Sequence, residues 1–199
     1  VAGTRKILML GLDGAYSQIL FEGIPLIRGL SSTYGLTYIP GTWVESIQIS
    51  KGAGSVVNGF ESMTGQINLE YWKPEHEEKA FLNVYANHMG RAEGNGYLRQ
   101  QVNDKWSTMI LAHGRVSLIN VDNNGDGYMD MPLDNEIQFF NRWKYQSEKR
   151  ESMFGVRFLA DDKLGGQVGF NPSVNREDQP FFGMRVRTRL ASAFAKSGF

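Results

Sequence analysis

Cysteine is absent from the 199-residue chain, so neither a disulfide framework nor a thiolate metal site can form. Long apolar runs are missing too, which excludes a transmembrane helix, because such a helix needs about 18 or more apolar residues in a row. No sign of charge is in excess, since 21 basic residues balance 21 acidic ones. This balance argues against a dominant attraction to nucleic acid, and we expect no nucleic-acid partner.

Patterns that carry catalysis are equally scarce. The histidines, His76, His88 and His113, are far apart in the sequence and form no metal-binding pair. There is no Gly-x-Ser-x-Gly elbow, and no Ser-His-Asp or Cys-His order that would support a nucleophilic mechanism. Lys51 comes before its glycines, whereas a phosphate loop has its lysine after the second glycine, at the start of a helix. The sequence therefore predicts neither an enzyme nor a nucleotide-binding protein.

The second half of the chain contains segments in which apolar and polar residues alternate, as they do in β-strands with two different faces. They predict strands near Ala80–Asn87, Gly96–Val102, Lys105–Arg115, Glu136–Gln146, Arg150–Ala160 and Phe182–Ala195. The connections are tight at Asn103-Asp104 and Ser147–Lys149 but long at Ser117–Asn135 and Gly165–Pro180. Short turns at one end and long loops at the other are typical of outer-membrane barrels.

Alternation also predicts which side chains share a face. The expected apolar face consists of Phe139, Trp143, Phe154, Phe158 and Val186. The expected polar face consists of Arg142, Arg157, Arg185 and Arg187. In an outer-membrane barrel the apolar face would contact lipid and the polar face a wet lumen; in a soluble sandwich the polar face meets bulk water. Alternation alone fits both, and the connection lengths favour the barrel.

The most specific pattern lies between two short predicted strands, Val44–Ser50 and Gln66–Tyr71. It reads Lys51-Gly52-Ala53-Gly54-Ser55, then Asn58-Gly59, then Gly65-Gln66-Ile67-Asn68. By itself it predicts a glycine-rich connection, with Gly52 and Gly54 at positive φ. The pattern resembles the closing segment of the plug domain of TonB-dependent outer-membrane receptors, except that Asn58 replaces the usual tyrosine and Gln66 the usual glycine or valine.

Three further segments extend the resemblance. Gly11–Pro25 resembles the glycine-rich turn, strand and Asp-Gly-x-Pro of the plug, with Glu22 in place of the aspartate, and Tyr34–Pro40 resembles its short helix ending in Ile-Pro. Asp122–Pro132, followed by Asn141–Tyr145, resembles an early part of the barrel in Bacteroidota receptors.

This resemblance implies a mainly β protein: a small mixed α/β plug domain at 1–72, a linker at 73–79, and the first six or so antiparallel strands of a transmembrane β-barrel at 80–199. A barrel that holds a plug has about 22 strands. We therefore interpret the sequence as part of a longer chain.

The function implied by the resemblance is import of a scarce solute across the cell outer membrane into the periplasm, with a ferric chelate, haem or similar metal complex favoured. The implied partners are a TonB-type energy-transducing protein in the periplasm, outer-membrane lipid, and a small-molecule or metal-chelate substrate. The alternative is a soluble, calcium-stabilised β-sandwich that serves adhesion or carbohydrate binding.

A calcium site is predicted in the first long loop. Its oxygen donors have the spacing of a calcium-binding loop: Asp122, Asn124, Asp126, the Tyr128 carbonyl and Asp130, with Gly127 at the sharp turn. The twelfth position is Leu133 rather than a glutamate, so Asp134 or Glu136 would have to complete the site. The alternative is a solvated loop built from turn-favouring Asn-Gly and Asp-Gly pairs.

Overall fold

The computed structural model describes residues 7–26, 29–175 and 177–199. The first six residues of the predicted plug lie outside the described residues. The chain divides into two compact units between Trp72 and Lys73. Within the described residues, no helix has the length and apolar character needed to cross a membrane.

The first unit is built on a four-stranded sheet. Its strands are β1 (Ser17–Phe21), β2 (Ile24–Pro25), β3 (Val44–Lys51) and β4 (Gly65–Tyr71), in the order β2-β1-β4-β3. β1 runs parallel to β4, and β3 runs antiparallel to β4. The two strands predicted on either side of the glycine-rich connection are therefore present and pair with each other.

The helical part of this unit differs from the predicted mixed α/β character. In the described residues it consists of 3₁₀ segments at Gly14–Tyr16, Gly29–Tyr38, Gly41–Trp43, Val56–Asn58 and Phe60–Ser62. The three-residue segments are too short to gain from α-helical hydrogen bonding, which favours the tighter 3₁₀ turn. A small core of Met9, Ile67 and Leu69 lies against the sheet.

The second unit is a six-stranded antiparallel meander. Its strands are β5 (Ala80–Ala86), β6 (Arg91–Gln101), β7 (Trp106–Ser117), β8 (Leu133–Gln146), β9 (Glu151–Gly166) and β10 (Gly183–Gly198). Each pairs with the next in the chain, so that β5 and β10 are the edges of this sheet. All six predicted strands are present, and the sheet formed by the described residues is open.

Two strand boundaries lie five or more residues outside the predicted ranges. β6 begins at Arg91 rather than Gly96, because Gly94 and Gly96 pair within the ladder instead of forming a turn. β9 continues to Gly166 rather than ending at Ala160. Its extension pairs with β8 on one side and β10 on the other, so both neighbouring strands hold polar residues that lie beyond the predicted end of the strand.

The connections follow the predicted alternation with one exception. The two connections at the start of β7 and β9 are tight, whereas 118–132 and 167–182 are long loops at the opposite end of the sheet. The β5–β6 connection, residues 87–90, is at the long-loop end but is itself a tight turn, closed by the Gly90 amide donating to the Asn87 carbonyl at 3.2 Å.

Candidate functional site

The six-stranded sheet has one buried polar face, which we define by charged and amide side chains of β7, β8 and β9. They are Arg115, Glu136, Gln138, Arg142, Arg157, Asp161 and Lys163, all at most 9% exposed. Residues directly opposite each other in an antiparallel pair point to the same face. Arg115 is opposite Glu136, and Arg157 lies on the same alternation of β9 as Asp161, so this face is continuous across three strands.

The opposite face of the sheet, here the apolar face, exposes large apolar side chains. Its members include Leu82, Val84, Leu98, Ile110, Ile137, Phe139, Phe154 and Phe158. The predicted separation of Phe139, Trp143, Phe154 and Phe158 from Arg142 and Arg157 is confirmed, because Trp143 is opposite Phe154 and Phe139 is opposite Phe158.

The face predicted for Arg185 and Arg187 is wrong. Arg187 is directly opposite Asp162, and Asp162 alternates with Asp161 so that it shares the apolar face with Phe158. Arg185 donates two hydrogen bonds to the Asp162 carboxylate, at 2.7 and 2.5 Å, and Arg187 donates one at 3.2 Å. These arginines therefore lie on the same face as the exposed aromatic residues.

Val186 is correspondingly on the polar face, and so is Phe194 at the other end of β10. Phe194 is opposite Gly155 and stacks on Phe140 with ring centroids 6.1 Å apart. A Cβ at Gly155 would lie 2.7 Å from the Phe194 ring, so this glycine makes room for the stack. The middle of the polar face thus holds an apolar patch, and an apolar side chain does not by itself identify the opposite face.

Aromatic side chains cluster on the apolar face near the tight turns. Trp106 lies 5.1 Å from Tyr145, 6.4 Å from Trp143 and 6.2 Å from Phe154, measured between ring centroids. The rings of Trp143 and Phe154 are nearly parallel at 6.3 Å. Trp and Tyr gather where an apolar environment meets water, because each ring has a large apolar body and one polar group.

An ion-pair network occupies the polar face at the long-loop end. Arg115 donates to Glu136 and lies 2.7 Å from the Asp134 carboxylate, while Lys163 donates to Asp161 at 2.6 Å. The Lys163 ammonium is also 3.7 Å from Asp134 and 3.9 Å from Glu136. Strands β7, β8 and β9 each contribute charge, so the network depends on their register.

Neutral side chains extend the same network along the polar face. Gln138 donates to Glu136 and accepts a hydrogen bond from Arg157 at 2.6 Å. His113 hydrogen-bonds Asn95 at 2.7 Å and lies 3.6 Å from Glu136. Buried polar groups joined in this way hold one another in fixed positions.

Within the described residues, Asp134, Glu136 and Asp161 form a group of carboxylates whose oxygens converge within 4.8 Å. Two protein cations, Arg115 and Lys163, lie against these three carboxylates, which leaves a net charge of −1 (−3 + 2). We assign the group to the ion-pair network. Asp134 and Glu136 therefore bind Arg115 on the polar face instead of completing a calcium site in the preceding loop.

The acidic loop of residues 122–130 has the backbone of a tight polar turn. Gly125 and Gly127 have φ of 70° and 80°, so Gly127 makes the sharp turn expected of it. Backbone amides donate to the acidic side chains: Gly125 and Gly127 to Asp122 at 2.9 Å each, Tyr128 to Asp126 at 2.8 Å, and Asn123 to Asp130 at 3.0 Å.

Asn124 completes the predicted set of side chains in this loop, since its amide nitrogen donates to Asp126 at 3.0 Å. All the predicted ligand residues thus lie in one turn. In the structure, backbone and side-chain groups donate hydrogen bonds to the carboxylates of this loop. Calcium binding stays a prediction.

Backbone hydrogen bonds join the acidic loop to the second long loop. The Met129 amide donates to the Gly166 carbonyl at 2.8 Å, and the Val168 amide donates to the Gly127 carbonyl at 2.9 Å. The two long loops therefore form one structure at the same end of the sheet.

In the first unit, the glycine-rich connection uses its glycines for two different reasons. Gly52 has φ +104°, as predicted. Gly54 does not have the predicted positive φ; instead, a Cβ there would lie 2.7 Å from the Ser62 hydroxyl oxygen. Gly65 combines both reasons, because its φ is +147° and a Cβ would collide with the Ser50 carbonyl oxygen.

The two plug-like motifs of the sequence meet in space. The Asn68 side-chain oxygen accepts a hydrogen bond from the Gly23 amide at 2.8 Å, and Gly23 belongs to the turn between β1 and β2. Gln66 donates to the side-chain oxygen of Gln18 at 2.8 Å. The buried hydroxyls of Ser17 and Thr64 are 2.8 Å apart. These contacts give the spacing of the motifs a structural role: they hold β4 beside β1.

The fold is similar to parts of two solved structures. The chain is similar to the siderophore receptor PiuA from Acinetobacter baumannii, with a TM-score of 0.61 and 13% identity over 82% of this chain and 22% of that chain. It is also similar to the siderophore receptor PirA from Pseudomonas aeruginosa, with a TM-score of 0.56 and 12% identity over 94% of this chain and 34% of that chain.

At these identities the likeness establishes a shared fold, and the chain spans between about a fifth and a third of the receptors' length. No family model and no curated protein sequence matches the chain. The resemblance to Bacteroidota receptors therefore stays a prediction. Both neighbours are receptors, which is consistent with the expectation that the chain is not an enzyme.

Sequence reasoning missed the ion-pair network. Asp161 and Lys163 lie beyond the predicted end of β9, and Arg115 was treated as the last residue of its strand. The available signal was the spacing of charged residues at alternate positions, Asp134 with Glu136 and Asp161 with Lys163, which places each pair on one face of an extended strand.

Proposed function

We propose that this chain is part of a TonB-dependent outer-membrane receptor that imports a ferric chelate or similar metal complex into the periplasm. The observation that carries this proposal is the exposed apolar face of the six-stranded sheet. Leu82 is 80% exposed, Val84 74% and Phe158 56%. A large contiguous apolar surface is typical of a face that contacts a membrane or another protein.

Strand length supports membrane contact. β6 to β10 contain 11 to 16 residues each, and about 9–11 residues suffice for a tilted strand to cross a bilayer. The aromatic cluster around Trp106 then lies at the interface on the tight-turn side. Outer-membrane barrels have such aromatic girdles, short periplasmic turns and longer extracellular loops.

The soluble sandwich is less well supported. A sandwich packs the apolar faces of two sheets together, whereas the described strands of the second unit all belong to one sheet. In the six-stranded sheet, moreover, the polar face is buried and the apolar face is exposed. A soluble sandwich has the reverse arrangement.

In the proposed receptor the first unit is the plug and the polar face lines the barrel interior. The two long loops, 118–132 and 167–182, lie on the extracellular side, where the substrate arrives. We include calcium as a ligand of Asp122, Asn124, Asp126, Tyr128 and Asp130 in this proposal, because the oxygen donors have the spacing that the ion requires. A TonB-type protein would supply energy from the periplasm.

Cell fractionation tests the membrane assignment. Cells that produce the full-length protein containing this chain should retain it in the outer-membrane fraction after a carbonate wash and release it only with detergent. Recovery in the wash without detergent would contradict the receptor and favour the soluble sandwich.

Uptake tests the substrate class. Under iron limitation, we expect cells with the gene to accumulate ⁵⁵Fe supplied on a catecholate or a hydroxamate siderophore, and a deletion strain to accumulate less. An ionophore that dissipates the proton gradient should abolish the difference, since import through the receptor is energised. Equal accumulation by both strains with either chelate would contradict ferric-chelate import while leaving the fractionation result intact.

A further inference from the structure

Three arginines form a positive patch on the apolar face at the long-loop end of β10. Arg185, Arg187 and Arg189 occupy alternate positions, and Arg189 is directly opposite Ala160 of β9. Asp162 lies among them and binds Arg185 and Arg187. The patch keeps a net charge of +2 (3 − 1), and Arg187 remains 61% exposed at its side chain.

The height of this patch above the aromatic cluster follows from the strand register. Phe154 marks the aromatic level, and Arg185 is opposite Leu164, ten residues further along β9. With about 3.3 Å per residue and a strand tilt of about 40°, ten residues rise by about 25 Å. Outer-membrane barrels have an apolar band about 25 Å tall, so Arg185, the uppermost arginine of the patch, lies at its far boundary.

Arg189 lies lower than the other two arginines, about 15 Å above the aromatic level by the same geometry. Long basic side chains reach toward the interface while their methylene groups stay in an apolar environment. In a membrane the Arg189 guanidinium would therefore reach toward the level of Arg187.

A shallow groove adjoins the patch on the apolar face. Its outward-facing lining consists of Ile137, Phe139, Phe158, Ala160, Arg189 and Ala191. The small alanines leave a furrow between the aromatic rings and β10, and Arg189 stands at its upper end. A furrow with apolar walls and one cationic end has the shape and charge of a site for an acyl chain joined to an anionic group.

We propose that Arg185, Arg187 and Arg189 bind the phosphate of an anionic lipid headgroup in the leaflet on the long-loop side, with an acyl chain in the adjoining groove. This inference rests on the proposed outer-membrane location. Guanidinium groups bind phosphate through paired hydrogen bonds, and basic residues near a membrane surface attract anionic lipids. Asp162 orients two of the three arginines without neutralising the patch.

The test is lipid binding by the purified full-length protein in detergent. The probes are diphosphorylated lipid A and the same lipid with both phosphates removed, so that only the anionic groups differ. The test variant changes Arg185→Gln, Arg187→Gln and Arg189→Gln together. The control variant changes Lys105→Gln, Lys149→Gln and Arg150→Gln at the tight-turn end, which removes the same three charges.

We expect the unmodified protein to bind the phosphorylated probe at least tenfold more tightly than the dephosphorylated one. The test variant should lose that preference and the control variant should keep it. An Ala191→Phe variant, which fills the groove, should weaken binding of both probes. Equal preference in the test and control variants, or full competition by millimolar inorganic phosphate, would overturn the site.

Failure of the lipid-binding proposal can be distinguished from failure of the proposed receptor function. The triple arginine variant should still fractionate with the outer membrane and still import iron, because the patch is on the lipid side. Loss of probe preference with normal fractionation supports the lipid site. If the unmodified protein is soluble without detergent, the outer-membrane location itself is refuted.

Discussion

The two sheets of the molecule are stabilised in different ways. In the first unit, short strands are joined by connections that require glycine at Gly52, Gly54 and Gly65, and side chains such as Asn68 bind the backbone of a neighbouring turn. In the second unit, long strands pair without interruption from β5 to β10, and two chemically different faces result. The first sheet therefore depends on individual positions, whereas the second depends on alternation and register.

The largest effect should come from opening the ion-pair network of the second unit. Replacing Glu136 by alanine removes the buried carboxylate to which Arg115 and Gln138 both donate. We expect a loss of about 3–5 kcal/mol in the free energy of unfolding, the usual result of removing one member of a buried ion pair. Urea unfolding of the full-length protein in detergent, followed by tryptophan fluorescence, measures it.

The matched control for this change is Asn135→Ala, the neighbouring residue on the opposite face. It should change the free energy of unfolding by less than about 0.5 kcal/mol, as surface substitutions usually do. Similar losses for both variants would show that the polar face does not stabilise the sheet, and the contrast between the two units would fail.

Charge on the apolar face is expected to give the next largest effect. Phe158→Arg should destabilise the lipid-inserted protein by about 2–4 kcal/mol, the usual loss for a basic residue near the middle of the membrane. Leu164→Arg, on the same strand and face but at the height of Arg185, should cost at most about 1 kcal/mol. Unfolding in lipid bilayers measures both.

Depth dependence is the informative part of that experiment. In a soluble sandwich Phe158, already 56% exposed, would tolerate arginine about as well as Leu164 does. Equal values for the two variants would therefore contradict lipid contact by this face.

A glycine substitution tests the first unit. Gly65→Ala forces a side chain into a φ of +147° and against the Ser50 carbonyl oxygen, and we expect a loss of about 1–3 kcal/mol. Gly41→Ala is the control, because nothing lies within 4 Å of its Cβ position and its φ is not positive. Amide hydrogen exchange across β3 and β4 locates the loss, and unchanged protection in the Gly65 variant would refute it.

The smallest effect concerns the acidic loop. If it binds calcium, the ion at ten times its dissociation constant should raise the free energy of unfolding by about 1.4 kcal/mol. The double variant Asp122→Ala, Asp126→Ala should show no such increase. Asp104→Ala with Asp178→Ala removes the same charge from other loops and should keep it. An equal response to calcium in all three proteins would exclude this site.

Much of the second unit was predictable because period-two alternation is a local property. The pairing of β8 with β9 follows from it once the tight turn between them fixes the register. The face of β10 was not predictable in the same way. Phe194 lies on the polar face because Gly155 makes room for it beside Phe140. Both of these residues are in other strands, so the sequence of β10 does not indicate that this space exists.

The first unit shows a similar division. The glycine-rich pattern identified the strands on either side of it and the positive φ of Gly52, since turn chemistry is also local. The reason for Gly54 was different from the one expected, because Ser62 approaches it from a separate 3₁₀ turn. The spacing of residues 122–130 predicts a calcium loop, and Gly127 has the expected positive φ, but calcium binding stays a prediction.

By itself the sequence determined the mainly β character, the six strands of the second unit, the two strands that flank the glycine-rich connection, the tight and long connections and the oxygen-donor spacing of residues 122–130. These features depend on residues that are neighbours in the chain. Only the tertiary structure decided that Arg115 and Lys163 meet Asp134, Glu136 and Asp161, and that Arg185 and Arg187 share the apolar face with Phe158. Such contacts join residues from different strands, so they exist only once strand register and the packing of both faces are set.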